Sequence, residues 1–264
     1  MSDSIAITSG KGGVGKTTIA VNLSIAYKQL MSDVLLLDTD LGMANSHVLL
    51  GVNPDKTLSD IVNGNCILNQ VILKTQTGVE LVSGGAASSD LLNLSNSQRY
   101  ILLNEIESYL SKKSNSKLIV DIAAGAEDNS IVFANACNRI VVIIVGEPTS
   151  FIDSYALIKT VHNTSSFKNF SIVVNQVDNH VQSRELFKKF EKITTRFLDV
   201  KLHHVGFLEY SSKIKNSIID RKPILLSEPK SDISMQFKKI ATEIVKTPKN
   251  TWGGLSFFSR KKRA

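Results

Sequence analysis

Between residues 10 and 17 the chain reads Gly10-Lys11-Gly12-Gly13-Val14-Gly15-Lys16-Thr17, an instance of the phosphate-loop spacing G-x-x-x-x-G-K-[ST]. The pattern constrains the fold because it works at one kind of junction, where a buried strand ends and a helix begins. Both flanks comply: the apolar run Ile5-Ala6-Ile7 precedes it and a helix-like segment, Thr18 to Leu30, follows. Glycines at 10, 12, 13 and 15 free successive backbone N–H groups to turn inward around an anion at a helix N-terminus. Lys16 supplies a point charge for the outer phosphates and Thr17 a hydroxyl for Mg²⁺. A flexible Gly-rich turn would require neither flank.

Further apolar runs end in polar residues, as parallel strands buried on both faces do at a ligand-binding edge. Val34 to Leu37 ends in Asp38 and leads into Asp38-Thr39-Asp40-Leu41-Gly42-Met43-Ala44-Asn45. Two carboxylates there either hold a metal through water, orient an attacking water, or cap the next helix. Leu118 to Val120 ends in Asp121 and is followed by Ile122-Ala123-Ala124-Gly125. An acid at 121 can accept from Thr17 or from Mg²⁺-bound water, and Gly125 can bring an N–H to a γ-phosphate. Ile140 to Val145 is a third run, and Ser171 to Val177 a fourth, with Asn175 offering the donor and acceptor that an adenine edge needs or serving a turn. The pattern predicts an α/β fold: a doubly wound, mostly parallel sheet with helices on both faces.

Composition matters chiefly through the placement of charge. Lys and Arg number 31 against 24 acids, a net +7. From Phe237 onward there are eight Lys/Arg and one acid, so the preceding 236 residues are formally neutral. A broad nucleic-acid-binding face is therefore not predicted, and the basic element is the tail. Thr247-Pro248-Lys249-Asn250 breaks the last helical segment, dividing the chain into a domain at 1–247 and a tail at 248–264. The tail sets Trp252, Leu255, Phe257 and Phe258 beside Arg260, Lys261, Lys262 and Arg263, the composition of a peptide that lies on an anionic bilayer. The rival readings are a latch folded onto its own domain and a protein-docking peptide. Burial is worth roughly 1.5–3 kcal/mol per apolar side chain and each cation about 1, less the cost of ordering, so one copy should bind marginally and two together far better.

No run of about eighteen apolar residues occurs that could span a membrane. The stretch Met1-Ser2-Asp3-Ser4 has neither the basic region nor the apolar core of a secretory leader, so a cytoplasmic location is expected. Cys66 and Cys137 form neither a disulfide framework nor a metal set and are expected to pack as small apolar residues.

The KGGVGKT loop carries a second cation, Lys11, that a nucleotide already served by Lys16 does not need. This loop resembles the deviant phosphate loop of the MinD/ParA ATPases, and DTDLGMAN resembles their first switch. Glu147-Pro148-Thr149-Ser150-Phe151-Ile152-Asp153-Ser154-Tyr155-Ala156-Leu157-Ile158-Lys159 resembles the flagellar-number regulators of that group, FlhG/FleN. The resemblance runs from Ile5 to about Ile244. It implies a slow ATPase that uses ATP and Mg²⁺ and forms a homodimer with ATP, each Lys11 reaching the partner's γ-phosphate. It implies an ATP site of Gly10, Lys11, Gly12, Gly13, Val14, Gly15, Lys16, Thr17, Thr18, Gly125 and Asn175, catalysis by Lys11, Lys16 and Asp40, and metal support from Thr17, Asp38 and Asp121. Glu147 and Asp153 would lie at the dimer interface, with Asp153 pairing with Lys11.

By the same resemblance the tail would bring the ATP-bound protein to the membrane. The implied partners are the flagellar GTPase FlhF, a flagellar master transcription activator and switch-ring components. A MinD-type division ATPase, a ParA-type partition ATPase and a metabolic phosphotransferase are the alternatives. In one place the pattern departs from the family: Leu208-Glu209-Tyr210-Ser211 puts Glu209 and Ser211 where relatives carry a Pro and an Asp that frame the base.

The remaining segments read as packing elements. Helical spacing runs from Thr57 to Leu73, from Leu94 to Ser111, from Leu186 to Leu198 and from Ser231 to Val245, with strands at Val79 to Val82 and Lys201 to Leu208. His203 and His204, adjacent in a strand, point to opposite faces and cannot share a metal.

Overall fold

A computed structural model describes residues 3–40, 45–84, 95–113 and 115–250. Eight strands form one sheet in the order β3-β4-β2-β5-β1-β6-β7-β8. They span Asp3–Thr8 (β1), Asp33–Asp38 (β2), Leu73–Lys74 (β3), Glu80–Val82 (β4), Ser116–Asp121 (β5), Arg139–Ile144 (β6), Asn169–Val177 (β7) and Lys201–Glu209 (β8). Every pairing is parallel except β3 with β4. The helices are Lys16–Gln29 (α1), Ser46–Leu49 (α2), Leu58–Val62 (α3), Asn96–Ser111 (α4), Asp128–Asn135 (α5), Pro148–Ser165 (α6), His180–Phe197 (α7), Ser212–Ile219 (α8), Ile224–Ser227 (α9) and Asp232–Ile244 (α10). The expected doubly wound sheet is what forms.

Successive strand residues feed two different cores, as the alternation of side chains in a strand requires. Ala6, Leu35 and Leu37 join the layer of α4 to α7, with Leu102, Phe133, Leu157 and Phe190. Ile5, Ile7, Val34 and Leu36 join the layer of α1, α9 and α10, with Leu23, Leu225 and Phe237. Because both faces are covered, the central strands are apolar almost throughout, and polarity appears only at their ends. In the second layer Tyr27 of α1 donates its buried hydroxyl to the Ala241 carbonyl of α10 at 2.9 Å, stapling the last helix to the first.

Several elements differ from the sequence reading, among them helices α2, α5 and α9, which it did not anticipate. The span Thr57 to Leu73 is not one helix: α3 is started by Thr57, whose N–H donates to Asp60 Oδ2 at 2.8 Å, and it is broken at Asn63-Gly64, where Gly64 takes φ 74°. A 3₁₀ turn, Leu68–Gln70, and β3 follow. Helix α7 begins six residues before its apolar onset, because Asn179 caps it by accepting from the Gln182 N–H at 3.0 Å. Helix α8 was not expected; Ser211 caps it through the Lys213 N–H. Cys137 is buried and Cys66 partly so, in keeping with apolar packing. The tail residues Trp252, Leu255, Phe257, Phe258, Arg260, Lys261, Lys262 and Arg263 lie outside the described residues, as do Leu41 to Ala44 of the first switch.

Candidate functional site

Most of the residues the sequence marked for nucleotide chemistry lie at the C-terminal ends of β1, β2, β5 and β7; Lys11 is the exception. Strand β1 ends at Thr8, and the loop from Ser9 delivers the chain into α1 through Gly15, whose φ of 92° is the left-handed geometry that glycine adopts freely. Close packing fixes the loop on two sides. A Cβ on Gly10 would run into the backbone of Asp153 and Ser154 in α6, and one on Gly15 would approach Asn175 Nδ2 to 2.7 Å. Asn175 donates that amide to the Val14 carbonyl at 2.7 Å and accepts from the Gln176 N–H at 2.9 Å. It therefore fastens the loop to β7 as well as facing the place a base would occupy.

Asp38 and Asp121 are register partners on neighbouring strands, so two carboxylates end side by side. Asp38 accepts a backbone N–H at each oxygen, from Asp40 at 3.1 Å and Ser46 at 3.0 Å. These bonds fix the chain at Asp40 and at Ser46, the start of α2. Burial raises the pKa of Asp38, and those N–H groups oppose the shift. Asp121 is 1% exposed, and neither of its carboxylate oxygens has a hydrogen-bond partner. Its carboxyl is pushed up to about 7, by burial first and then by Asp38, against the pull of Lys16 and the Thr17 hydroxyl. A buried, unpaired carboxylate with a threonine hydroxyl beside it offers the oxygen ligands that a hard cation takes, and Mg²⁺ fits them.

A cleft of about 560 Å³ opens over these groups, lined by Gly12, Gly13, Gly15, Lys16, Thr17 and Thr18 on one side. Thr39, Asp40, Ala123, Ala124 and Glu127 line the other. It continues past Gly13, Gly15, Thr18 and Ile218 into a second hollow of about 260 Å³ between Asn175, Gln176, Leu208 and Ile214. A polyphosphate fits the first part and a base the second. Glu209 and Ser211, the two departures from the family pattern, both line the base hollow.

Two site residues have partners within the chain that the sequence did not indicate. The Gly125 N–H donates to the Ser9 carbonyl at 2.9 Å, which ties the loop after β5 to the phosphate loop. Within the chain Lys11 pairs with Glu147 and not with Asp153. Its ammonium also donates to the Thr149 hydroxyl at 3.3 Å, so it lies on the N-terminal turn of α6, away from the phosphate cleft.

Sequence reasoning missed Ser9, whose hydroxyl donates to the Lys11 carbonyl at 2.7 Å. It also missed Thr39, whose hydroxyl donates to the Asp121 carbonyl at 2.9 Å, and Ile218, which joins the two hollows. Ser211 with Ile214 and Ile218 spaced behind it was the available signal for the last. The two adjacent histidines have separate partners, Asn169 Oδ1 at 3.2 Å for His203 and the Ser183 hydroxyl at 2.9 Å for His204.

Comparison with known proteins agrees with this geometry. The model of the CobQ/CobB/MinD/ParA nucleotide binding domain matches residues 5–224. The antiactivator FleN of Pseudomonas aeruginosa is 37% identical over 257 residues, covering 96% of this chain and 91% of that protein. The flagellum site-determining protein YlxH of Helicobacter pylori is 29% identical, covering 97% of this chain and 88% of that protein. Among solved structures, the septum site-determining protein MinD of Pyrococcus horikoshii, complexed with Mg-ADP, has the same fold with a TM-score of 0.74 at 23% identity. That match covers 93% of this chain and 97% of that one.

Proposed function

Because the chain belongs to the CobQ/CobB/MinD/ParA nucleotide-binding family, and resembles FleN along nearly its whole length, we propose that it is an ATP-dependent dimerising switch that regulates flagellar number and placement. The observation that carries the switch is Lys11: one ammonium, Lys16, lines the chain's own phosphate cleft, while Lys11 is held outside it on α6.

In this reading the backbone of Gly12, Gly13 and Gly15 and the Lys16 ammonium bind the polyphosphate, and Asn175 holds the loop in shape for it. Thr17 and Asp121 would hold Mg²⁺, with Asp38 fixing the switch around them. When bound, the cation would neutralise charge on the β- and γ-phosphates. Asp40, in the same cleft, would orient the attacking water. Lys11 would leave Glu147 and reach the γ-phosphate of a second chain, where a charge-assisted contact is worth about 1.5–3 kcal/mol. Asp153 and Glu147 would then line the joint between the chains. Hydrolysis would remove the contact and separate them.

Membrane residence would follow from pairing two tails through Trp252, Leu255, Phe257 and Phe258 with the cations at 260–263. The flagellar GTPase FlhF, a master transcription activator and switch-ring components are the proposed partners, in line with the likeness to FleN and YlxH.

Light scattering of Lys11→Ala with Mg–ATP tests the switch. The variant should stay monomeric, and dimerisation equal to the parent's would overturn the cross-chain role. A flagellar count in a deletion strain tests the cellular role; altered septum placement with a normal count would make the protein a division-site ATPase instead.

A further inference from the structure

Strand β8 is the last in the sheet, so one side of its backbone has no sheet neighbour among the described residues. An open edge is a template for another strand, and proteins usually cover or blunt it. Here the edge from His204 to Phe207 forms the floor of a cleft of about 380 Å³. Helix α7 supplies one wall with His180 and Arg184, and α10 supplies the other with Lys239. The cleft shares no lining residue with either nucleotide hollow.

The charge in it is one-sided. Arg184 and Lys239 are exposed, and neither has an ion-pair partner among the described residues. The acid that lines the cleft, Glu243, is paired with Lys246 at 2.6 Å. His204 reports the resulting field: its pKa is lowered by burial and further by His180, Arg184 and Lys239. The imidazoles are held in place, His204 stacked on Phe187 with centroids 5.0 Å apart and His180 against Phe207 at 5.4 Å.

The backbone limits what can lie there. The β7–β8 register slips between Ile172 and Val173, and Gly206 with φ 149° lets Ile240 of α10 come down onto the strand, where a Cβ would approach it to 2.5 Å. Beyond this bulge the Glu209 N–H is already taken by Gln236 Oε1 at 3.3 Å. The open stretch is thus a few residues long and walled on both faces, which suits one short extended segment and not a long duplex or a second sheet. Alternate side chains of such a segment point to opposite faces, one toward α7 and the next toward α10. Both faces end in cations, so neighbouring residues of the segment should both be acidic.

We propose that the outer edge of β8, between α7 and α10, docks a short acidic peptide of a partner protein as an added strand, with successive carboxylates reaching Arg184 on one wall and Lys239 on the other. Backbone bonds to the edge would supply affinity and the two cations selectivity.

Fluorescence anisotropy of the full chain with a labelled peptide Gly-Val-Glu-Asp-Val-Glu-Gly tests this. Saturable binding is expected, weakened at least tenfold in Arg184→Glu/Lys239→Glu while melting and ATP hydrolysis stay at parental values. Peptide N-methylated at alternate amides should lose binding to a similar degree, as should one with lysines for the acids. Absence of binding overturns the proposal, and so does binding indifferent to N-methylation, which would be charge attraction without strand addition. A single-stranded oligonucleotide that outcompetes the peptide and is lost in the same variant would replace the peptide by a nucleic acid and overturn it equally.

Discussion

Asp121→Asn should make the nucleotide-free protein more stable and at the same time remove its response to Mg²⁺. Asp121 is fully buried, with both oxygens unpaired, and its carboxyl is pushed up to about 7 by burial and by Asp38. An unfolded aspartate titrates near 3.9. Between these values the folded chain holds a proton that the unfolded chain has released, so stability falls as pH rises through that window and stays low above it. Three pKa units correspond to about 4 kcal/mol at 1.36 kcal/mol each, a ceiling that Asp38 shares.

The amide of Asn fills the same space without the charge, so at pH 8 in EDTA the variant should gain about 2–4 kcal/mol in urea unfolding. At pH 5, about one unit into that window, the gain should shrink to about 1–1.5 kcal/mol, and it should approach zero only below pH 4. Adding Mg–ATP at a thousandfold excess over Kd should cancel or invert the difference, because the parent alone would bind it and gain about 4.1 kcal/mol. A variant less stable than the parent at pH 8 in EDTA, or a difference that does not change with pH, would refute the account of Asp121 as a strained carboxylate kept for a cation.

Two further substitutions probe the loop. Glu147→Gln weakens the hold on Lys11 within the chain, so ATP-dependent dimers should appear at lower ATP concentration in light scattering; a higher threshold would mean that Glu147 serves the joint and not the restraint. Asn175→Ala strands the Val14 carbonyl, a loss of about 1–3 kcal/mol in unfolding, and should also weaken nucleotide binding measured by calorimetry.

What the sequence could disclose depended on whether the signal was local. The phosphate loop and the strands ending in Asp38 and Asp121 were legible because a strand buried on both faces must be apolar until it reaches the edge where its ligand lies. The break in the span from Thr57 to Leu73 was written as Asn63-Gly64 but was outweighed by helical spacing on either side. The partner of Lys11 was not legible. It depends on Gly10 lying against the backbone of Asp153, a contact that aims Lys11 at the start of α6 and not at the acid beside the glycine. The bond from Gly125 to Ser9 likewise arises only when β1 and β5 lie side by side. The basic edge of β8 gathers residues from three elements, two of them on opposite faces of the sheet, and no short motif announces it.

The two ends of the sheet raise a question of transmission that an engineered dimer can answer. The nucleotide site lies at the C-terminal ends of the strands. The chain leading into the tail is strapped to their N-terminal ends, where Arg139 donates to Asp3 Oδ2 at 3.0 Å and to the Val245 carbonyl at 2.9 Å. There too Asn250 donates its N–H to the Asn138 carbonyl at 2.9 Å and its side-chain amide to the Asn169 carbonyl at 3.0 Å. A six-residue strand separates the two sites by about 20 Å, and buried β1 and β6 offer no moving part between them. ATP is therefore expected to act on the tail by bringing two chains together and not by a signal through one.

Lys249 lies 3.3 Å from Asp3 Oδ1, so a leucine zipper fused ahead of Met1 would draw both tail roots together without nucleotide. Such a fusion should sediment with anionic vesicles in the absence of ATP, with an avidity gain on the order of 10²–10⁴ over the monomer. The gain should disappear when residues 248–264 are deleted from the fusion. Vesicle binding that still requires ATP in the zipper dimer would mean that nucleotide acts on the tail within each chain, and the argument from separation across the sheet would fail.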